Sequence, residues 1–469
     1  MRLRLIPVIA FLALPLTAAT FDDSFTGKTM RVDYFHTSTP RGDEIIALDK
    51  VVSDGPWPGS RTRLIDTSNL GKYYFEVIDR ETNQPLYSRG FASVYGEWET
   101  TSDVRERAGT FHESLRFPWP KKAVQVVLKK RDKQNAFQQI WSAVVDPSSR
   151  FVNPADRGPA GKVWSLFENG PASQKVDLLI IAEGYAANEN AKLRGDIERL
   201  SAKLFATEPF KSRRKDFNVR VLELAASKSG VHRPRTHDDR RTPTGVEYNI
   251  FDSERYVLTL DNQALRNAAS SAPYDFLEIL VNEKQYGGGG IFMDQATASV
   301  DSGFSEYVFV HEFGHHFAGL GDEYYTSDVA YETGGAEHPE PWEPNVTANG
   351  EHPKWMDMVT PGTPLPTPWE KEAFEKHQRE YMAERRKLRE SNVPESKMDE
   401  LFRRELEWDT RFLSAEKYAG KVGAFEGASY EAKGLYRPQA DCIMFTRDEV
   451  GFCKVCSRAI DRMIDMYSK

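Results

Sequence analysis

The sequence predicts an α+β protein: an N-terminal β-sandwich followed by an α/β domain in which a mixed, twisted sheet carries packed helices. Three observations predict it. From residue 20 to about 145, short alternating runs such as Tyr73-Tyr74-Phe75-Glu76-Val77-Ile78 and Ala123-Val124-Gln125-Val126-Val127-Leu128 are separated by Gly, Pro and Asp clusters. Residues 146–161 then break every periodicity with Pro, Gly, Asp and Ser. From Val176 onward, continuous apolar runs alternate with helical spacing, as in a sheet covered by helices. At 469 residues the chain is long enough for two or three domains, each with its own core.

Met1-Arg2-Leu3-Arg4, an apolar run over 5–16 and the exit Thr17-Ala18-Ala19 have the three-part layout of a secretory signal. Residues 1–19 are therefore expected to be removed, leaving a secreted or periplasmic chain that begins near Thr20. The apolar run is too short to span a bilayer, and no later stretch approaches ~20 unbroken apolar residues, so no transmembrane segment is expected. A formal net charge of −8 argues against nucleic acid as a partner.

The sandwich is assigned to 20–150, a linker to 151–170 and the second domain to 171–469. In that domain 176–182, 217–224 and 276–281 read as strands, and a helical pattern runs through Leu200 and Phe205. Gly287-Gly288-Gly289-Gly290 reads either as a flexible turn or as a sheet edge that accepts an extended peptide, since four glycines admit close backbone approach. A proline-rich stretch over 361–368 leads into two charged segments, 369–391 and 395–408, read as a helical insertion over 366–410. Phe374, Tyr381 and Leu388 repeat at seven, a narrow stripe suited to packing an antiparallel hairpin on the body.

Cys442, Cys453 and Cys456 are the only cysteines, so one disulfide is the most they can form. An exported chain favours a bridge, assigned here to Cys442 and Cys456. Cys453-x-x-Cys456 also matches a redox or structural-metal pair, although no second such pair accompanies it.

The richest segment is His311-Glu312-Phe313-Gly314-His315. A four-residue step on a helix brings both imidazoles to one face, and Glu312 then sits beside the open position of a metal such as zinc. Catalytic zinc takes three protein ligands. Asp322, seven residues after His315 and three after the helix-ending Gly319, is the leading candidate for the third. Glu323 is next, and the remoter Glu332, Glu337 and His338 also fit the chemistry. His316 is turned by about 100° from His315 and is assigned to a surface or supporting position.

With these residues in view, the chain resembles the IgA-peptidase family of secreted zinc metallopeptidases, which are metzincin-like. The likeness rests on His311-Glu312-x-x-His315, Gly319, Asp322-Glu323-Tyr324-Tyr325, Gly434-Leu435-Tyr436-Arg437-Pro438, Asp441-Cys442-Ile443-Met444 and Phe452-Cys453-x-x-Cys456. It covers residues 176–469, and the preceding β module is similar to that family's N-terminal domain. The resemblance implies that Met444 forms an apolar floor under the metal. One departure stands out: Gly319 and Asp322 follow His315 by four and seven residues, against three and six in the usual metzincin pattern. The family label mentions immunoglobulin cleavage, but no residue here selects an antibody hinge.

The expected activity is hydrolysis of internal peptide bonds in a protein or peptide substrate, with zinc as cofactor, Glu312 as general base and Tyr436 as candidate donor to the tetrahedral oxygen. Two rival readings are a secreted binding or adhesion protein with a structural metal and a zinc amidase acting on cell-wall amides. An open cleft beside a free sheet edge favours peptides, and a deep narrow pocket favours a small amide.

Overall fold

In the computed structural model, described over residues 20–236, 239–326, 339–448 and 450–468, the chain is a mixed α+β protein. The leader assigned to 1–19 and the remote ligand candidates Glu332, Glu337 and His338 lie outside the described residues.

Two four-stranded sheets make up the leading module. One has the order β5-β1-β2-β8, formed by β1 (Phe25–Ser38), β2 (Glu44–Pro56), β5 (Gly109–Pro120) and β8 (Val152–Asn153). The other, β4-β3-β6-β7, is formed by β3 (Tyr73–Asp79), β4 (Pro85–Phe91), β6 (Val124–Arg131) and β7 (Phe137–Val145). The period of two seen in sequence sends Tyr73, Phe75 and Val77 of β3 and Val124, Val126 and Leu128 of β6 into one cluster with Val32, Tyr34, Leu115 and Phe117 of the first sheet. Three short helices, α1 (Phe21–Ser24), α2 (Val94–Trp98) and α3 (Asp103–Glu106), complete the module.

The stretch assigned as a linker is shorter in the structure. Val152 and Asn153 pair with β2, whereas Lys162–Phe167 already forms β9 of the next sheet. Both pieces are short and lack a clean apolar alternation, so their strand character comes from the neighbours they pair with.

The second sheet has six strands in the order β15-β16-β14-β10-β11-β9. They are β9, β10 (Val176–Glu183), β11 (Phe217–Glu223), β14 (Phe276–Val281), β15 (Gly288–Ile291) and β16 (Gln295–Ser299); β12 (Val246–Glu247) and β13 (Leu258–Thr259) form a separate small ladder. Strands β16, β14, β10 and β11 are parallel, and the two edge strands run antiparallel. Every residue of β10 and β14 is buried, which explains their largely apolar character, interrupted by Asp177, Glu183 and Glu278: both faces are covered. One face carries α4 (Asn190–Leu204), α6 (Ser305–Ala318) and α9 (Lys454–Ser468), and the other packs on α5 (Asn262–Ala269). The charged segments form the antiparallel pair α7 (Lys371–Glu390) and α8 (Glu395–Ser414), with Phe374 and Tyr381 buried as the seven-residue stripe predicts. A hairpin, β17 (Phe425–Ala428) and β18 (Glu431–Arg437), follows.

The two modules dock through buried charge. Arg31 is fully buried and bonds Asp33, Asp54 and, across the junction, Asn267 Oδ1 at 2.8 Å. Arg116 pairs with Asp54 at 2.8 Å and donates to the Tyr274 carbonyl at 3.1 Å. Each buried charge is thus matched, the condition under which such groups are tolerated.

Candidate metal centre

Helix α6 is apolar around most of its circumference, and Phe313 and Phe317 pack among Phe210, Phe217 and Phe276. That burial fixes its rotation and turns His311 and His315 together toward a cleft. The helix ends at Gly319, whose φ of 60° is the left-handed conformation that glycine adopts without strain. The chain reverses there and returns Asp322 to the two histidines.

Three donor atoms converge. His311 Nε2 lies 3.1 Å from His315 Nε2 and 3.1 Å from Asp322 Oδ1, and His315 Nε2 lies 3.2 Å from the same oxygen. A tetrahedral zinc ion with bonds of about 2.0–2.1 Å sets its donors roughly 3.3 Å apart, so this near-equilateral triangle fits three corners of such a site. The opposite ring nitrogens are committed: His311 Nδ1 faces the Ile443 carbonyl at 2.9 Å and His315 Nδ1 the Leu320 carbonyl at 2.5 Å. Donation from Nδ1 to a carbonyl selects the tautomer whose Nε2 carries a lone pair, the form a metal requires. Burial works against the charged form of Asp322, but His315 and His311 outweigh it and hold the carboxyl well below the usual range. Conversely, burial lowers His315, and chiefly Asp322 overcomes this and brings it up to about 9. The pocket is therefore electrostatically prepared for a positive charge.

Glu312 lines the same cleft, with its carboxylate within 4.8 Å of the imidazole donors. Burial holds it above the usual carboxylate range, partly offset by His311 and His315. Met444 is fully buried, with its sulfur 3.2 Å from where a Cβ on Gly314 would stand, so it packs beneath the helix that carries the histidines. The turn at 443–445 also supplies the Ile443 carbonyl that orients His311.

Other expectations are not met. Glu323 does not join the tripod; it points the opposite way from its neighbour, toward Cys453 and Cys456. His316 faces away from the metal face, as its register predicts, but it is buried in a supporting position rather than at the surface. Its Nδ1 faces the Ile291 carbonyl at 2.8 Å and its Nε2 accepts from the Leu277 amide at 3.1 Å, tying α6 to the sheet, and burial pushes it down to about 3. Tyr436 is not among the cleft-lining residues, because its ring lies over Gly350 on the far side of β18. No bridge joins Cys442 and Cys456 in this structure, where their sulfurs lie 3.9 Å apart.

Two tyrosines occupy the site instead. Tyr430 donates its hydroxyl to Asp322 Oδ2, leaving Oδ1 aimed at the histidines. It sits with Ser429 in the two-residue turn between β17 and β18, both in the left-handed region (φ 67° and 48°), and the turn is held by bonds from their amides to the carbonyls of Tyr324 and Asp322. A bulky residue in that conformation costs on the order of 1–3 kcal/mol and persists where surrounding contacts enforce it. Tyr324 lines the cleft, and its hydroxyl accepts from Arg255 at 3.3 Å.

The cleft has a volume of about 530 Å³. One bank is β15 and α6; the other includes Lys72, Gly96, Arg131 and Asn135 of the leading module. The glycine run is an edge strand rather than a flexible turn. A Cβ at Gly290 would stand 2.3 Å from the Glu312 carbonyl oxygen, so strand and helix touch only because the side chain is missing. Gly288 bonds outward to Arg255 and Val257, and Phe292 bonds outward to Ala92. Gly290, of the same strand parity between them, turns its backbone toward the cleft.

Comparison with protein families matches residues 164–464 to IgA Peptidase M64 and residues 20–142 to Peptidase M64 N-terminus. No curated protein matches the chain.

Proposed function

The chain belongs to the M64 family of IgA peptidases, and on that premise we propose that it is a secreted, zinc-dependent endopeptidase. The observation that carries the reading is the triangle of His311, His315 and Asp322 donors with Glu312 beside it. His311, His315 and Asp322 would hold the zinc, which when bound would supply a Lewis acid and acidify water. Glu312 accepts the proton of the attacking water and delivers it to the leaving amine nitrogen. Its burial raises its basicity for the first transfer and its acidity requirement is met at the second by the strongly basic amine. Tyr324, positioned by Arg255, takes the role of donor to the tetrahedral oxygen first expected of Tyr436. The backbone edge at Gly290 pairs with an extended substrate and presents its scissile bond to Glu312.

A cleft lined by both modules and bordered by a strand edge favours a peptide over a small cell-wall amide. Glu312 beside the donors favours catalysis over a purely structural metal, since a closed structural site needs no base. The comparison of domains supports a metzincin-like fold and an N-terminal sandwich as the finer description, and the layout of residues 1–19 supports export.

The test is Glu312→Gln. The variant should retain zinc and fold as the parent while losing cleavage of a random peptide library by at least ~100-fold. Undiminished cleavage by material free of contaminating protease would remove Glu312 from the mechanism.

A further inference from the structure

Behind the proposed catalytic centre, the three cysteines and Glu323 form a second cluster of donors. One ligand atom from each of Glu323, Cys442, Cys453 and Cys456 lies within 4.8 Å of all the others, and all four residues are buried. Cys442 Sγ and Cys456 Sγ are 3.9 Å apart; Glu323 Oε1 is 3.3 Å from Cys456 Sγ and 4.0 Å from Cys453 Sγ. A tetrahedral zinc ion with Zn–S of about 2.3 Å and Zn–O of about 2.0 Å requires S···S near 3.8 Å and S···O near 3.5 Å. The spacing fits a cation at the centre.

Two of the three sulfurs already accept hydrogen bonds from the backbone. The Cys453 amide donates to Cys442 Sγ at 3.2 Å and the Cys456 amide to Cys453 Sγ at 3.4 Å, hydrogen bonds of the kind that support metal-bound sulfur. Glu323 is fully buried; its Oε1 accepts from Asn345 at 3.0 Å, and its Oε2 has no hydrogen-bond partner. A fully buried carboxylate that turns Oε1 toward two sulfurs is costly unless a positive charge compensates it. A Cys442–Cys456 disulfide would leave the Cys453 thiol and the Glu323 carboxylate, whose Oε1 faces two sulfurs, without a cation between them. Three sulfurs and one oxygen instead give the four donors of a closed structural site, with no position left for water.

We propose that Cys442, Cys453, Cys456 and Glu323 bind a second, structural zinc ion. Each coordinating thiol releases its proton to solvent on binding, with no redox change. The ion ties together the start of α9, the turn that carries Met444 and orients His311, and the segment whose preceding residue is Asp322. It thereby braces two supports of the catalytic tripod from behind. This inference stands apart from the proposed peptidase mechanism, because it rests on a different set of side chains.

The test uses the full chain purified without reductant or chelator. Metal analysis should find two zinc ions per chain, and the His311→Ala/His315→Ala double variant should keep one. Reconstitution with Co(II) should give a sulfur-to-cobalt charge-transfer band in the near ultraviolet that the double variant retains and Cys456→Ser weakens. Should either variant fail to fold, the band in the parent protein still decides. A parent with one zinc that the double variant loses, a cobalt spectrum without the thiolate band, or a single titratable thiol after unfolding without reductant would each overturn the site.

Discussion

Gly290→Ala isolates the contact between the substrate-facing edge and the helix of the metal centre. Gly290 lies outside the left-handed region, so alanine meets no backbone penalty there, and only space is at issue. The new Cβ would stand 2.3 Å from the Glu312 carbonyl oxygen and 2.9 Å from His315 Cβ, where ordinary contact begins at 3.4 Å. Strand and helix must separate by roughly 1 Å. Overpacking of this kind costs ~1–3 kcal/mol. At about 2–4 °C per kcal/mol, the melting temperature should fall by several degrees. Because the same shift moves the base and a ligand, a displacement near 1 Å should lower kcat/KM by up to ~100-fold. Gly195→Ala is the control: Gly195 lies within α4 with nothing near its would-be Cβ, and should be neutral or stabilised by ~0.5–1 kcal/mol. Both variants are followed by thermal unfolding and peptide cleavage. If Gly290→Ala melts and cleaves as the parent does, or if Gly195→Ala loses as much, the steric reasoning is wrong.

Asp322→Ala should lose the zinc held by His311 and His315; undiminished zinc on metal analysis would assign the third ligand elsewhere. Tyr430→Phe removes the hydroxyl that steadies Asp322 Oδ2 and should weaken zinc about 10–100-fold in competition with a chelator, while an unchanged affinity would limit Tyr430 to a packing role. In the leading module, burial alone would lower His36, but Glu113 and Glu44 overcome it and bring it up to about 9. Its folded value thus exceeds the unfolded value of about 6.5, so its contribution, at most ~3 kcal/mol, is complete below pH 6.5 and lost as the pH rises through 9. The parent should lose thermal stability between pH 7 and 9.5 more steeply than His36→Gln; parallel curves would rule out that linkage.

The metal helix was legible because its chemistry is local. A four-residue step sets two histidines on one face whatever surrounds them, and Gly319 announces the reversal that returns Asp322. The mixed sheet was legible for a related reason: strands buried on both faces, such as β10 and β14, show as mainly apolar runs, even with Asp177, Glu183 and Glu278 among them. Tyr430 was hidden because it reaches Asp322 from a turn 108 residues away. That turn uses Ser and Tyr where the preferred residues are Asn and Gly, so its conformation is imposed by the segment it clamps. Tyr436 was misassigned through strand parity, since one step along β18 moves a side chain to the opposite face. His316 and Glu323 show the same limit: their neighbours' roles were readable, but which direction each side chain takes depends on tertiary packing. The cysteines were read in pairs, whereas the structure groups them with a carboxylate more than a hundred residues earlier.

The bank of the cleft contributed by the leading module makes the gap's width a property of docking. Under the proposed function, a substrate segment lies between Lys72 and Arg131 on one bank and Gly290 and Glu312 on the other. Under the same reading, Arg31 and its acidic partners, which bond the two modules through Asn267, act as the set-screw of a calliper.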